Sequence, residues 1–239
     1  MPFHELLPGV GLIDLWQVNV YVLFDNGQAT IIDTGMIWDR KPLMRALSEG
    51  LPKGTKITAI IQTHGHCDHA GNTAFLAKKF GALIISHELE APFIERFKTY
   101  MPGGWRLFSL KAFVFLLGEI FIPVRRCRVD RKVREGDTID TPIGPLKVVH
   151  TPGHTLGHMS LWHEKNRWLF SGDAIINVIP FVRRTALCLP VPLFSVSVSM
   201  NKKSAKKLAD LQPVALFAQH GQVILKDANV ALNRFTGDY

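Results

Sequence analysis

Three histidines, an aspartate and a cysteine lie within six residues, in the run His-Gly-His-Cys-Asp-His from His64 to His69. Imidazole and carboxylate groups are the ligands that zinc and its first-row neighbours take from proteins. Gathering so many polar groups is costly unless a cation offsets their desolvation. The cluster therefore predicts a metal site, and its ligand number favours more than one ion.

Three more candidate ligands occur downstream, and each follows a short apolar run that reads as a strand. They are His154, Asp173 and His220. Taken singly, His220 could be a hydrogen-bonded loop residue, and Asp173 could cap a turn or a helix. Loops at strand ends converge on a crevice in open α/β sheets. The joint occurrence of the three at strand ends therefore predicts that they share a site with the cluster.

Strands and helices alternate along the sequence. Apolar runs predict strands at residues 18–24, 29–33, 57–62, 82–86, 146–150, 159–163, 167–171 and 214–218. Helical spacing predicts helices at 41–48, 72–80 and 203–211, with Gly81 closing the second of them. The Asp25-Asn26-Gly27 run predicts a hairpin turn.

The composition is that of a globular protein. The 239 residues are 47% hydrophobic and 20% charged, which excludes a disordered chain and allows one large α/β domain or two small ones. A net charge of +8 would suit an anionic substrate, a nucleic acid or an acidic membrane surface, although no long run of like charges occurs. Three cysteines without a C-x-x-C pair argue against a disulfide framework. No signal peptide is recognisable, and the longest apolar stretch, 108–123, is too short and too charged to span a bilayer, so a cytoplasmic protein without stable membrane insertion is expected.

Together these motifs resemble the metallo-β-lactamase superfamily over essentially the whole chain, from Asp33-Thr34-Gly35 to Gln219-His220-Gly221. The resemblance implies a single α/β domain over residues 1–239, an αββα sandwich of two mixed β-sheets with helices outside. It also implies ligands by position: His64, His66 and His154 for one ion, Asp68, His69 and His220 for the other, and Asp173 as a bridge. Asp33, and by the same reasoning His158, would not bind metal but would support the residues that do.

The implied chemistry is hydrolysis. Two divalent ions about 3.5–4 Å apart can share a water molecule whose pKa falls to roughly 7, so that it is bound as hydroxide. Zinc is the first choice of metal, and manganese, iron or cobalt would also accept these ligands. Asp68 would bind one ion and orient that hydroxide toward a carbonyl carbon. Such a site suits an ester, lactone, thioester or amide, and it needs no nucleophilic serine or cysteine. Cys67 is therefore expected to be a packed bystander.

Several departures from known branches bear on the substrate. Asp173 argues against a dedicated β-lactamase, since the lactam-hydrolysing subclasses generally lack that carboxylate. Ile176 stands where acyl-homoserine lactonases often carry a tyrosine, and little chain follows His220 to form the glutathione-binding domain of glyoxalase II. An apolar insertion at about 88–126 is expected either to cap the site or to pack in the core. Apolar residues in and after it are candidates for a substrate pocket: Trp105, Phe108, Ile176 and Phe181. They favour a hydrophobic ester or lactone.

Other functions remain open. A basic dinuclear enzyme could cleave phosphodiesters as a nuclease, but the sequence shows no added RNA-binding domain and no aromatic residues interleaved with its basic clusters. β-Lactam hydrolysis as a side activity, an iron-dependent redox reaction and a non-enzymatic binding role are the remaining alternatives. The expected partner is a small apolar molecule rather than a nucleic acid, and exposed cap residues would support a homodimer.

Overall fold

Two β-sheets form the centre of the protein in the computed structural model, which describes residues 2–95, 124–180, 182 and 184–237. The first sheet contains seven strands in chain order. They are β1 (Phe3–Leu7), β2 (Val10–Asp14), β3 (Asn19–Asp25), β4 (Gln28–Ile32), β5 (Lys56–Gln62), β6 (Leu83–His87) and β7 (Arg131–Val133). Pairing is antiparallel from β1 to β4 and parallel from β4 to β7, so the sheet is mixed.

The second sheet contains five strands in the order β12-β11-β10-β9-β8. They are β8 (Thr138–Thr141), β9 (Gly144–His150), β10 (Met159–His163), β11 (Trp168–Gly172) and β12 (Ala215–Ala218). Only the β11–β12 pair is parallel, so this sheet is mixed as well.

Helices cover the outer face of each sheet. The helices are α1 (Arg40–Gly50), α2 (Cys67–Ala70), α3 (Thr73–Phe80), α4 (Ala91–Ile94), α5 (Val198–Asp210) and α6 (Ala228–Gly237). Leu43 of α1 and Leu76 of α3 pack on the first sheet, whereas Leu208 of α5 and Leu232 of α6 pack on the second. The four layers confirm the αββα sandwich expected from the sequence.

The inner faces of the two sheets enclose one hydrophobic core. Side chains alternate along β3, so Tyr21 and Leu23 face the second sheet while Val20 and Val22 face the helices. Both faces are buried, which explains why the strand reads as a continuous apolar run. The ring of Tyr21 lies 5.5 Å from that of Phe170, and its hydroxyl donates to the Ala218 carbonyl at 2.6 Å. The aromatic core thus ends beside the loop that carries His220.

Every strand and helix predicted from the sequence is present, with small differences at the ends. The Asp25-Asn26-Gly27 turn joins β3 to β4, with φ of 47° at Asn26 and 74° at Gly27. Helix α5 begins five residues earlier than predicted, after Ser197, whose hydroxyl accepts from the Met200 amide at 3.3 Å. The sequence does not predict strands β1, β2, β7 and β8 or helices α2 and α6.

The segment at 88–126 begins in the core. Its helix α4 buries Ala91 and Ile94 against Ile84 and Val129. Residues 96–123 lie outside the described part of the chain, so a cap there stays a prediction. Among the described residues, no helix has the length and apolar character needed to cross a bilayer.

Candidate metal centre

The seven ligand candidates meet at one edge of the sandwich. Their ligand atoms form three overlapping groups, each with all atoms within 4.8 Å of one another: His64, His66 and His154; Asp68, His69 and His220; and His64, His69 and Asp173. We call the first group the first half-site and the second group the second half-site. Parallel strand β5 and the ends of β9, β11 and β12 deliver these residues from two different sheets.

The first half-site consists of imidazoles. His66 Nδ1 lies 2.9 Å from His154 Nε2, and the ring of His64 lies 4.7 Å from that of His66. In the second half-site, His220 Nε2 lies 3.4 Å from Asp68 Oδ2 and 3.3 Å from His69 Nε2. Both groups converge ligand atoms on a small volume.

Asp173 lies between the two half-sites. Its Oδ2 is 3.5 Å from His154 Nε2 and 3.2 Å from His220 Nε2, and its Oδ1 is 3.4 Å from His69 Nε2. One carboxylate therefore faces imidazoles of both groups, which is the arrangement that a bridging ligand requires.

Hydrogen bonds behind the rings select which nitrogen faces the cluster. Nδ1 of His64 faces the Thr63 hydroxyl at 3.1 Å, and that hydroxyl itself donates to Asp33. His154 Nδ1 faces the Ser195 hydroxyl at 3.3 Å, and His220 Nδ1 faces the Gln17 carbonyl at 2.5 Å. With Nδ1–H donating outward in each case, Nε2 is the nitrogen that faces the cluster.

Asp33 supports the centre from the end of β4. Its Oδ2 lies 2.9 Å from His69 Nδ1 and accepts from the Thr63 hydroxyl at 2.8 Å, while Oδ1 accepts from Gln62 Nε2 and the Thr63 amide at 2.9 Å. The residue has a φ of 59°, a strained value for a side chain with a Cβ. The four bonds hold it in this conformation.

His158 supports Asp173. The Asp173 amide donates to His158 Nε2 at 2.8 Å, so the ring must carry its proton on Nδ1, which donates to Thr151 Oγ1 at 2.7 Å. Burial lowers the pKa of His158 to about 3, against the opposing effect of Asp173. The neutral ring therefore holds the backbone of Asp173.

Electrostatics differ between the two half-sites. Burial lowers the pKa of His64 and His154, and the neighbouring imidazoles lower it further. Burial also opposes the charge of His220, but Asp173 and Asp68 outweigh it and raise its pKa to about 10. Burial would raise the pKa of Asp68, yet His69 and His220 hold it below its usual value. The acidic residues thus favour positive charge on the rings of the second half-site, whereas His64 and His154 of the first half-site stay neutral.

The donor set fits divalent metal ions. Nε2 of His64 and Oδ1 of Asp173 are buried without a hydrogen-bond partner, which is rare for buried polar atoms. Both atoms point into the cluster formed by the other ligand candidates. An ion coordinated by imidazole and carboxylate would satisfy them.

Other candidates are placed differently. Cys67 is half-buried, and burial raises the pKa of its thiol to about 12, so it has no nucleophilic thiolate at neutral pH. Ile176 is 4% exposed and pairs its backbone with Cys188, so its contact with substrate stays a prediction. Trp105, Phe108 and Phe181 lie outside the described residues.

The sequence does not reveal the residues that hold the ligand candidates in place. Ser195 and Gln17 lie far from the motifs, and no spacing marks them. Glu90 is fully buried and accepts three hydrogen bonds from the ligand loops. Its one signal in the sequence is an acid between apolar Leu89 and Ala91.

Known proteins resemble this chain in sequence. The family model described as the metallo-beta-lactamase superfamily matches residues 13–220. A Bacillus subtilis (strain 168) protein named "Probable metallo-hydrolase YflN" is 28% identical over 229 residues, which cover 91% of this chain and 85% of that protein. The hydroxyacylglutathione hydrolase of Bdellovibrio bacteriovorus is 28% identical over 172 residues, or 71% of this chain and 53% of that enzyme.

Solved structures share the fold. The metallo-beta-lactamase family protein TTHA1429 of Thermus thermophilus has a TM-score of 0.67 at 25% identity, covering 98% of this chain and 80% of that one. BJP-1, a subclass B3 metallo-beta-lactamase of Bradyrhizobium japonicum, has a TM-score of 0.71 at 19% identity, and the match covers 100% of this chain and 90% of that one. At that identity the second likeness shows the fold alone.

Proposed function

Because the chain belongs to the metallo-β-lactamase superfamily and is a metal-dependent hydrolase of that group, we propose that it hydrolyses a hydrophobic ester or lactone with two divalent ions. The observation that carries the dinuclear site is the carboxylate of Asp173 between two half-sites. Zinc is the proposed metal, and manganese, iron or cobalt would suit the same imidazole and carboxylate ligands.

The metal ions and Asp68 would have different roles in the reaction. When bound, the two ions would lower the pKa of a water molecule and polarise the substrate carbonyl. Asp68 is 25% exposed at its side chain, against 6% for Asp173, so it is the carboxylate on the solvent side of the cluster. We expect Asp68 to accept a hydrogen bond from the attacking water and so to direct its lone pair at the carbonyl carbon.

Exposed apolar side chains on the loops around the ligands support an apolar substrate. We call them the apolar rim: Trp16 is 63% exposed, Trp38 55%, Phe194 37% and Val196 50%. Gln17, next to Trp16, contacts His220, and the Val196 amide, two residues from Phe194, donates to the His154 carbonyl at 3.0 Å. Trp38 follows Ile37, whose amide nitrogen would lie 2.6 Å from a Cβ at Gly71, two residues after His69. Exposed apolar groups gathered at a site mark a binding surface. We therefore expect an acyl chain or apolar ring to lie against the rim.

A substrate panel tests this proposal. Metal-loaded protein is assayed with aryl esters and lactones of increasing acyl length, and with bis(p-nitrophenyl) phosphate and a β-lactam. We expect carboxyl esters or lactones to be cleaved fastest, and octanoyl substrates to exceed acetyl ones in kcat/KM by about tenfold or more, since each buried CH₂ contributes about 0.8 kcal/mol. Asp68→Ala should abolish the activity.

Two further variants test the rim. Trp38→Ala should reduce the preference for long acyl chains. Leu83→Ala is the control, because Leu83 is similarly exposed, at 56%, but lies at the start of β6, and it should leave the preference unchanged. Equal rates for acetyl and octanoyl substrates would contradict the apolar substrate, and full activity of Asp68→Ala would contradict the mechanism.

A thioester is the second candidate substrate. Support comes from the similarity to hydroxyacylglutathione hydrolases, whose name describes cleavage of a glutathione thioester. A hydroxyacyl thioester of glutathione therefore belongs in the same panel. If it is cleaved faster than every ester and lactone, the thioester replaces them as the proposed substrate class.

A further inference from the structure

Glu90 connects two loops that carry metal-ligand candidates. We call residues 63–66 the His64 loop and residues 151–158 the His154 loop. Oε1 of Glu90 accepts from the Gly65 amide at 2.9 Å, while Oε2 accepts from the Thr155 hydroxyl at 2.7 Å and the Gly157 amide at 3.2 Å. Each carboxylate oxygen thus serves one loop.

The two loops come from different sheets. The His64 loop follows β5 of the first sheet, and the His154 loop follows β9 of the second. Strand pairing fixes each loop within its own sheet but not the distance between them. A backbone bond from the Met159 amide to the Thr63 carbonyl, at 3.1 Å, is one direct link, and the Glu90 carboxylate is another.

From this geometry we propose that Glu90 is a positioning residue for the first half-site. The proposal rests on the metal centre of the proposed function. His66 Nδ1 and His154 Nε2 must converge on one ion, and they stand 2.9 Å apart on the two loops that Glu90 joins. By fixing both loops, Glu90 sets this convergence and thereby the affinity for the first ion.

The His154 loop packs so closely on Glu90 that neither can shift to accommodate a different side chain at position 90. A Cβ at Gly157 would lie 2.3 Å from the Glu90 amide nitrogen, so the His154 loop packs directly on the Glu90 backbone. Glutamine at position 90 would present an amide NH₂ to one of the two loops, where backbone N–H groups need acceptors. Aspartate would keep the charge but is one methylene too short to reach both loops.

The second half-site has different supports. Asp33 holds His69, and the Gln17 carbonyl faces His220. Asn19 Nδ2 donates to the carbonyls of Ala218 at 2.9 Å and Gly221 at 2.7 Å, on either side of His220. We therefore expect loss of the Glu90 carboxylate to weaken one ion and to spare the other.

Zinc affinities of the full chain test the proposal, measured by competition with a chromophoric chelator. Replacing a group that supports a metal ligand typically lowers metal affinity about 10- to 100-fold. In Glu90→Gln and in Glu90→Asp, we expect the affinity for one of the two ions to fall by this factor while the affinity for the other stays unchanged. Glu95→Gln is the matched control, because Glu95 bonds to Val129 and Lys132 rather than to a ligand loop, and it should bind both ions as the wild type does.

Two ligand variants identify the affected ion. In a His220→Ala background, which disables the second half-site, Glu90→Gln should weaken the remaining ion about 10- to 100-fold. In a His66→Ala background it should have little effect on the remaining ion. A general loss of structure would lower affinity equally in both backgrounds, so equal losses would overturn the proposal.

The outcomes separate this inference from the proposed function. Two ions bound with unchanged affinity in both Glu90 variants would overturn the positioning role alone. A wild-type protein that binds no zinc, manganese, iron or cobalt would overturn the metal centre itself. If Glu90→Gln does not fold, Thr155→Val removes only one hydroxyl of the network, and the same selective loss is expected in the same two backgrounds.

Discussion

At the residue scale, the histidines are distinguished by what lies behind each ring. The Thr63 hydroxyl, the Ser195 hydroxyl and the Gln17 carbonyl face Nδ1 of three different rings, whereas His66 turns Nδ1 toward the cluster. The sequence predicts the residue types of the site because adjacent ligands form a dense motif. It does not predict these acceptors, because they reach the rings only through tertiary packing.

His87 illustrates a buried histidine without a place in the cluster. Its ring stacks on that of His150 at 4.2 Å, and its Nδ1 accepts from the Leu89 amide at 3.3 Å, which requires the unprotonated nitrogen. Burial and His150 lower the pKa of His87 to about 4, although Glu88, Glu135 and Asp137 oppose the shift. The ring therefore stays neutral in the folded protein at pH values where an unfolded chain binds a proton.

This shift predicts a loss of stability in acid. Below about pH 6.5 the unfolded state takes up a proton that the folded state excludes, so the free energy of unfolding falls until about pH 4, by on the order of 1 kcal/mol after allowance for solvent screening. Urea unfolding across this range should show a smaller decline for His87→Gln than for the wild type. The same substitution at exposed His4 is the control, and parallel curves for wild type and His87→Gln would contradict the prediction.

At the element scale, the His154 loop is held against the start of helix α5. The Ser197 amide donates to the Gly153 carbonyl at 2.9 Å, and the Ser204 hydroxyl donates to the Pro152 carbonyl at 2.7 Å. A Cβ at Gly153 would lie 2.4 Å from the Asn201 amide nitrogen, and the residue has a φ of 142°. The helix and the loop can approach this closely only because residue 153 is glycine.

Gly153→Ala should therefore destabilise the protein and weaken metal binding together. Gly54→Ala is the matched control, since Gly54 also has a positive φ, of 86°, but nothing lies within 4 Å of its Cβ position. We expect the control to lose about 1 kcal/mol from backbone strain alone and Gly153→Ala to lose about 2–4 kcal/mol, because the clash adds to the strain. Urea unfolding and zinc affinity measure the two effects, and equal losses in the two variants would show that the packing against α5 is unimportant.

The elements that sequence analysis found are those whose pattern is local. Buried parallel strands such as β5 read as apolar runs, and the turn at Asn26-Gly27 has a distinctive composition. The strands that it missed lie toward the edges of the sheets, where β1, β7 and β8 each leave part of their residues exposed. Their apolar pattern is weak, and pairing with a neighbour decides their conformation.

At the scale of the whole molecule, the candidate centre is a junction between the two sheets. The first half-site combines the His64 loop with the His154 loop, and the second combines Asp68 and His69 with His220. Each ion would therefore connect residues of both sheets. The order of ligands along the chain was readable from the sequence, but which sheet carries each one depended on the strand order.

Removal of metal should therefore destabilise the entire fold rather than one loop. A ligand that binds only the folded state stabilises it by about 2.7 kcal/mol at a free concentration of about 100 Kd. We expect zinc to raise the Tm, and a chelator to reverse the change, in the wild type. In a His66→Ala, His220→Ala double variant, zinc should no longer change the Tm. A wild-type Tm that is the same with zinc and with chelator would contradict an inter-sheet metal centre.

The link between Asn19 and the residues around His220 also constrains when the protein can become active. The hydrogen-bonded atoms are about two hundred residues apart in sequence, with separations of 199 and 202. During synthesis, the chain must extend to His220 and then bring that loop back to one of its earliest strands. Such distant contacts form slowly, because the cost of closing the intervening loop comes before the contacts form. A partly made chain would hold most of the ligand candidates and yet be unable to complete the second half-site, so the proposed activity would appear only after folding is essentially complete.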